Sequence, residues 1–150
     1  DLYFEISPHS FFQINPEQTK VLYDKVVELG EFDGTETVLD LYCGIGTIGL
    51  YVSKHVESVV GVECVAPAIE NAKKNALLNG IKNAEFYVGN SEDMAEKFPD
   101  SDVIIIDPPR KGCDPKLLET INEISPKKII YVSCNPATLA RDLKIPSIIW

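Results

Sequence analysis

Five short apolar runs, each stopping at a polar or reactive residue, constrain this chain more than any other feature. They are TVLDLYC (37–43), ESVVGVEC (57–64), AEFYVG (84–89), DVIIID (102–107) and KIIYVSC (128–134). Valine and isoleucine dominate them without strict alternation, the pattern of strands buried on both faces of a parallel sheet. Helical segments lie between them. Asn15-Pro16 supplies an N-cap with proline at the first helical position, and Gly30 closes that helix. Ala66-Pro67 opens a second, whose Ile69, Ala72 and Ala76 share a face before Gly80. Ser91 caps a short third, Asp114-Pro115 opens a fourth and Asn135-Pro136 a fifth. Strand and helix in alternation predict an α/β fold with a doubly wound, mostly parallel sheet, formed as one domain over residues 1–150.

In such a sheet ligands bind at the carboxyl ends of the strands, near the point where strand order reverses. The first run ends in DLYCGIGTIG, where Gly44, Gly46 and Gly49 satisfy G-x-G-x-x-G and start a helix. Glu63 ends the second run, where an acid can accept hydrogen bonds from a ribose. These features fit a dinucleotide and an S-adenosylmethionine site equally well. Asp40, inside the first strand, suits the ammonium of a methionine moiety better than a pyrophosphate. Asn90 ends the third run, placed either to meet an adenine edge or to cap the next helix.

The fourth run ends in IIIDPPRKG. Two prolines stiffen the chain and remove two backbone donors just after Asp107, so the carboxylate can project into the crevice beside Arg110 and Lys111. The fifth ends at Cys134. Asn135 can cap the following helix, and Pro136 tolerates its first position. A thiol against the positive end of a helix has a lowered pKa, so the junction is built for a nucleophile. Cys43 and Cys64 read as small core residues, and Cys113 as an incidental loop residue.

The four cysteines are widely spaced, with no Cys-x-x-Cys and only two histidines. That is a poor disulfide framework and a poor zinc site, so no metal is expected and a reducing, cytoplasmic setting fits best. No apolar stretch approaches the length of a membrane span. Net charge is −9, yet residues 103–150 hold 5 acids and 7 bases, against 18 acids and 7 bases before them. The basic third contains both Asp107 and Cys134.

FFQIN (11–15), DLYCGIGT (40–47), GVE (61–63), DPPRKG (107–112) and SCNPATLARDL (133–143) together resemble the S-adenosylmethionine-dependent RNA 5-methyluridine methyltransferases, the uracil-5 family acting on tRNA and ribosomal RNA. The resemblance covers nearly the whole chain, in the family's order. It implies a Rossmann-like class I methyltransferase fold. It places Gln13, Tyr42, Glu63 and Asp107 at contacts to S-adenosyl-L-methionine, with Thr47, Asn90, Asp40 and Gly44 around them. It places Cys134 at the nucleophile, and Asp107, Arg110 and Phe12 toward the substrate base. The chemistry suits a cysteine, because uracil C5 becomes a strong nucleophile only after a thiolate adds at C6.

The family carries an N-terminal RNA-binding domain, often with an iron–sulfur domain, and places its proton-abstracting glutamate beyond the nucleophile helix. None of these occurs in residues 1–150, which begin at Asp1 without a methionine. The chain therefore reads as part of a longer protein, without the closing strands of the fold. RNA is the expected partner, bound weakly by these residues alone, and the strand 128–134 is expected to self-associate as an open sheet edge. An NAD-dependent oxidoreductase leaves DPPRKG and SCNP unexplained. An amino-group methyltransferase acting on adenine or guanine needs no cysteine and usually carries an aromatic residue where this chain has Arg110. A third reading is a cofactor-binding domain that does no chemistry alone.

Overall fold

The computed structural model of the chain describes residues 2–5 and 16–144. Phe12, Gln13, Asn15 and the terminal SIIW lie outside them. Eleven elements follow in order: α1 (Pro16–Gly30), β1 (Thr37–Leu41), α2 (Thr47–Val52), β2 (Ser58–Glu63), α3 (Ala66–Leu78), β3 (Ala84–Val88), α4 (Ser91–Met94), β4 (Val103–Ile106), α5 (Pro115–Ile124), β5 (Lys128–Tyr131) and α6 (Pro136–Asp142). All five expected strands form, two to three residues shorter at some ends. Helix α2, started by the glycine turn, is one element more than the five capped helices read from the sequence.

The strands build one parallel sheet in the order β3-β2-β1-β4-β5. The chain steps outward from β1 to β3, then returns to place β4 on the other side of β1. The order therefore reverses between β1 and β4, and their carboxyl ends open a crevice.

Residues of β4 show why the apolar runs do not alternate. Ile104 and Ile106 turn to one face with Leu39, Leu41, Leu117, Leu118 and Ile121, under α5. Val103 and Ile105 turn to the other with Val38, Val59, Tyr23, Val26 and Ile48, under α1 and α2. Both faces are covered, so both sets are apolar. The open end of α1 is closed from the sheet: Lys128 Nζ donates to the carbonyls of Leu29 (2.9 Å) and Gly30 (3.1 Å) and pairs with Glu31. Among the described residues no helix is long and apolar enough to cross a membrane.

Three local expectations change. Cys64 is exposed, because it lies past the end of β2, whereas Cys113 is buried in the core against α5. Ser91 is the first residue of α4 and buried; Asn90 holds the N-cap position, without a side-chain cap bond. Strand β5 stops at Tyr131, so Cys134 lies three residues beyond it.

The third patch of core joins α3 to the edge of the sheet, where Phe86 packs with Cys43, Leu50, Ile69, Ala72 and Ala76. Its ring fills the space over Gly61, its register partner on β2. A Cβ at Gly61 would lie 2.4 Å from that ring and 3.0 Å from Cys43 Sγ. Gly61→Ala therefore overpacks a buried site and should lower unfolding free energy by about 1–3 kcal/mol in urea melts. Adding Phe86→Leu should recover part of that loss.

Candidate functional site

The backbone leaves β1 through a left-handed turn. Tyr42, Gly44 and Gly46 have φ of 61°, 55° and 80°. The two glycines take this conformation at no steric cost, and Tyr42 takes it at some cost. Gly46 N donates to Cys43 O (2.8 Å), and α2 starts at Thr47. Gly46 has no side chain to cap the helix, so the first-turn N–H groups need other acceptors.

Asp40 supplies one of them from inside the sheet. Its Oδ2 accepts from Gly49 N (2.9 Å), while its Oδ1 is buried without a partner. A Cβ at Gly49 would lie 2.8 Å from Asp40 Oδ2, so the third glycine is what lets the helix sit on the carboxylate. Burial pushes the Asp40 carboxyl up to about 8, with the nearby charges of Asp107 and Glu63 adding to the rise and Gly49 opposing it.

Glu63, at the end of β2, holds the other side of the turn. One oxygen accepts from Gly44 N (3.2 Å), the other from Val65 N (2.9 Å) and Cys64 Sγ (3.2 Å). Thr47 Oγ1 accepts from Tyr23 OH of α1 (2.8 Å). Tyr42 is half-buried against the core, and burial raises its phenol pKa. Asn90 is exposed at the end of β3, its Nδ2 3.4 Å from Asp93 Oδ2. Gly89 N bonds Glu63 O, so Asn90 stands beside the end of β2.

Asp107 follows β4, and its N–H bonds Leu41 O (3.3 Å), which sets it against the turn. No described residue donates to its carboxylate, and burial raises that group to about 6. Asp40, Glu63 and Asp107 thus gather at one end of the sheet. Among the described residues there is no group of three His, Cys, Asp or Glu arranged to hold a metal.

What fixes the other wall has no local signature in the sequence. The carboxylate of Asp142, 1% exposed, accepts from Cys113 N (2.8 Å), Tyr131 OH (2.7 Å) and Arg141 Nε (2.8 Å). Burial works against its charge, yet these three donors hold its pKa below the ordinary value. Arg141 also donates to Lys111 O (2.9 Å), and Asn135 Nδ2 and Thr138 Oγ1 reach Arg110 O (3.3 and 3.4 Å). A Cβ at Gly112 would lie 2.4 Å from Arg141 Nη2 and 2.6 Å from Asp142 Oδ2. The DPPRKG loop and α6 are therefore one packed unit. Arg110 is exposed on it.

Cys134 is exposed, between Ser133 and the N-cap of α6. Asn135 Oδ1 accepts from Ala137 N (3.0 Å), and Ser133 Oγ exchanges hydrogen bonds with the Asn135 backbone. The thiol is thereby carried on the segment that grips the Asp107 loop. The spacing of Arg141 and Asp142 within SCNPATLARDL was the available signal for this lock, but nothing local said what they touch.

A family model described as a methyltransferase domain matches residues 32–144. A protein of Bacillus cereus (strain ATCC 10987 / NRS 248) named an uncharacterized RNA methyltransferase is 56% identical over 149 residues, 97% of this chain and 32% of its own length. The chain superimposes on a tRNA (uracil-54, C5)-methyltransferase of Pyrococcus abyssi, solved with S-adenosyl-L-homocysteine, with a TM-score of 0.87. The two are 41% identical over 96% of this chain and 35% of the other. A precorrin-6y C5,15-methyltransferase of Geobacter metallireducens, 12% identical with a TM-score of 0.75, shares the fold. The chain spans about a third of the length of the curated relatives it matches.

The carboxyl of Asp40 has its pKa raised by folding, so its contribution to stability is fully present below about 3.8 and is lost as pH rises through about 8. Urea melts from pH 4 to 8 should show stability falling by up to about 1.4 kcal/mol per pH unit from this group. The decline should be visibly shallower in Asp40→Asn.

Proposed function

This chain belongs to the methyltransferase-domain family, and from that membership we propose that it is the S-adenosyl-L-methionine-binding, catalytic part of an RNA methyltransferase that modifies C5 of a uridine in tRNA or ribosomal RNA. The observation that carries the cofactor reading is the crevice beside the glycine turn, where three carboxylates meet and a buried Asp40 oxygen has no partner. Like charges held together in a poorly solvated crevice favour a cationic ligand. The ammonium and sulfonium of S-adenosyl-L-methionine supply that charge, and the turn offers close backbone approach through Gly44. Glu63 fits a ribose and Asn90 an adenine edge. Gln13, Tyr42 and Thr47 complete the proposed contacts.

When bound, the cofactor supplies a methyl group activated by its positive sulfur. This chain supplies the nucleophile. The Cys134 thiolate adds to uracil C6, breaking the C5–C6 double bond and leaving an enolate whose C5 is nucleophilic. C5 would then form a bond to that methyl group, the electrons of the broken sulfur–methyl bond staying on the donor's sulfur. A base then takes the C5 proton, C5–C6 is re-formed as a double bond, and the thiolate leaves. Asp107, neutral or charged near its raised pKa, faces the base, with Arg110 and Phe12 on the substrate side. The uridine has to leave its stack to reach this depth. The lock between α6 and the Asp107 loop supports this assignment, because it fixes nucleophile and acid relative to each other. Residues 1–150 are net −9 and neutralise few phosphates, so they hold RNA weakly.

Two variants test the separate roles. Glu63→Ala should weaken S-adenosylhomocysteine binding at least about tenfold by calorimetry, as expected for a charged hydrogen-bonding group. Cys134→Ala should bind it normally, yet form no covalent adduct with a uridine-containing RNA in mass spectrometry. An adduct that survives Cys134→Ala would remove the nucleophile.

Strand β5 pairs only with β4 among the described residues, so we also propose self-association through its outer edge. Light scattering across a concentration series should show a rising mean mass; a constant monomer mass counts against it.

A further inference from the structure

Asn71 and Asn75 share one face of α3, and Asn79, four residues further on, is its C-cap. Asn75 is completely buried and Asn71 nearly so. Residues 2–5 run along this helix. Leu2 and Phe4 pack toward the core patch around Phe86, while Tyr3 and Glu5 are exposed, an alternation of period two that marks extended chain.

Two of the asparagine amides pair with that segment as a neighbouring strand would. Asn79 Oδ1 accepts from Tyr3 N (2.8 Å) and its Nδ2 donates to Tyr3 O (2.7 Å). Asn75 Oδ1 accepts from Glu5 N (2.7 Å) and its Nδ2 donates to Glu5 O (3.4 Å). The match has a geometric basis: four helical residues rise about 6 Å, and two extended residues span roughly 6.6 Å. An asparagine every fourth residue can therefore meet every second residue of an extended chain.

Asn75 has a further partner. Its Nδ2 also donates to Ile45 O (3.3 Å), inside the glycine turn between the left-handed Gly44 and Gly46. One buried amide thus joins the N-terminal segment to the turn that cradles the proposed ligand. Undocking the segment would strand Asn75 Oδ1 in the core and release the orientation that serves Ile45. We infer that Asn75 is a positioning residue for the glycine turn, and that the segment Leu2–Glu5, gripped by Asn75 and Asn79, sets the affinity of the turn for its cofactor. This inference rests on the S-adenosyl-L-methionine assignment.

The test separates backbone from side chain at one position. Glu5→Pro removes the N–H that Asn75 accepts. Glu5→Ala keeps that N–H and removes only an exposed carboxylate, whose ion pair with Lys74 is 3.8 Å long. Calorimetry with S-adenosylhomocysteine should find Glu5→Pro roughly tenfold weaker than Glu5→Ala. Asn75→Asp, which loses the donor to Ile45 O, should match Glu5→Pro. Equal affinity in the two Glu5 variants overturns the inference, whether or not Asn75→Asp folds. If the unmodified chain binds no S-adenosylhomocysteine, the cofactor assignment fails instead. The coupling is then read by hydrogen exchange: the Gly46 and Leu50 amides should exchange faster in Glu5→Pro than in Glu5→Ala, and equal rates overturn it.

Discussion

The glycine turn after β1 is the constraint on which the rest of the structure depends. Its left-handed residues bring backbone close to whatever lies above and require unusual support below. That support arrives from four directions. Asp40 reaches up from β1 to Gly49 N, Glu63 crosses from β2 to Gly44 N, and Asn75 reaches from α3 to Ile45 O. Phe86 of β3 fills the space where side chains at Gly46 and Gly61 would stand. Each neighbour is an ordinary residue type made important by its distance from one short loop.

The same supports explain the electrostatics. Asp40 is buried because it must stand beneath α2, and Glu63 is near because it must hold the turn. Asp107 joins them because β4 is hydrogen-bonded to β1 at the reversal of strand order. Burial and neighbouring negative charge in a crevice of this kind raise carboxyl pKa values; a cationic ligand opposes that rise. The opposite wall is held differently, by the buried Asp142 and its three donors. Losing one donor there leaves a charge buried with fewer partners, which is why such networks are sensitive to single substitutions. Under the proposed chemistry, one wall binds the methyl donor and the other carries the thiol.

Much of this was readable in the sequence, where local chemistry decides. The Val/Ile runs marked the strands, and Asp114-Pro115 and Asn135-Pro136 marked helix starts that the structure caps as expected, on Lys116 N and Ala137 N. The ends of the apolar runs single out Glu63 and Asp107, which the structure brings to one end of the sheet, and Cys134, which lies three residues past β5. Errors fell where burial decides instead. By sequence Cys64 reads as core and Cys113 as incidental; in the structure Cys64 is exposed and Cys113 buried. Neither has a neighbour in sequence that reveals whether a helix will cover it.

By itself, then, the sequence determined a parallel α/β sheet, the glycine turn at its first strand and the polar residues Glu63 and Asp107 where β2 and β4 stop, because apolar period, glycine and proline act within a few residues of themselves. Tertiary structure alone decided what Asp40, Asn75 and Asp142 do. Their polar atoms meet partners 9, 70 and 29 residues away at Gly49, Glu5 and Cys113. A buried carboxylate or amide is defined by the donors and acceptors that folding brings to it, and no local pattern encodes those.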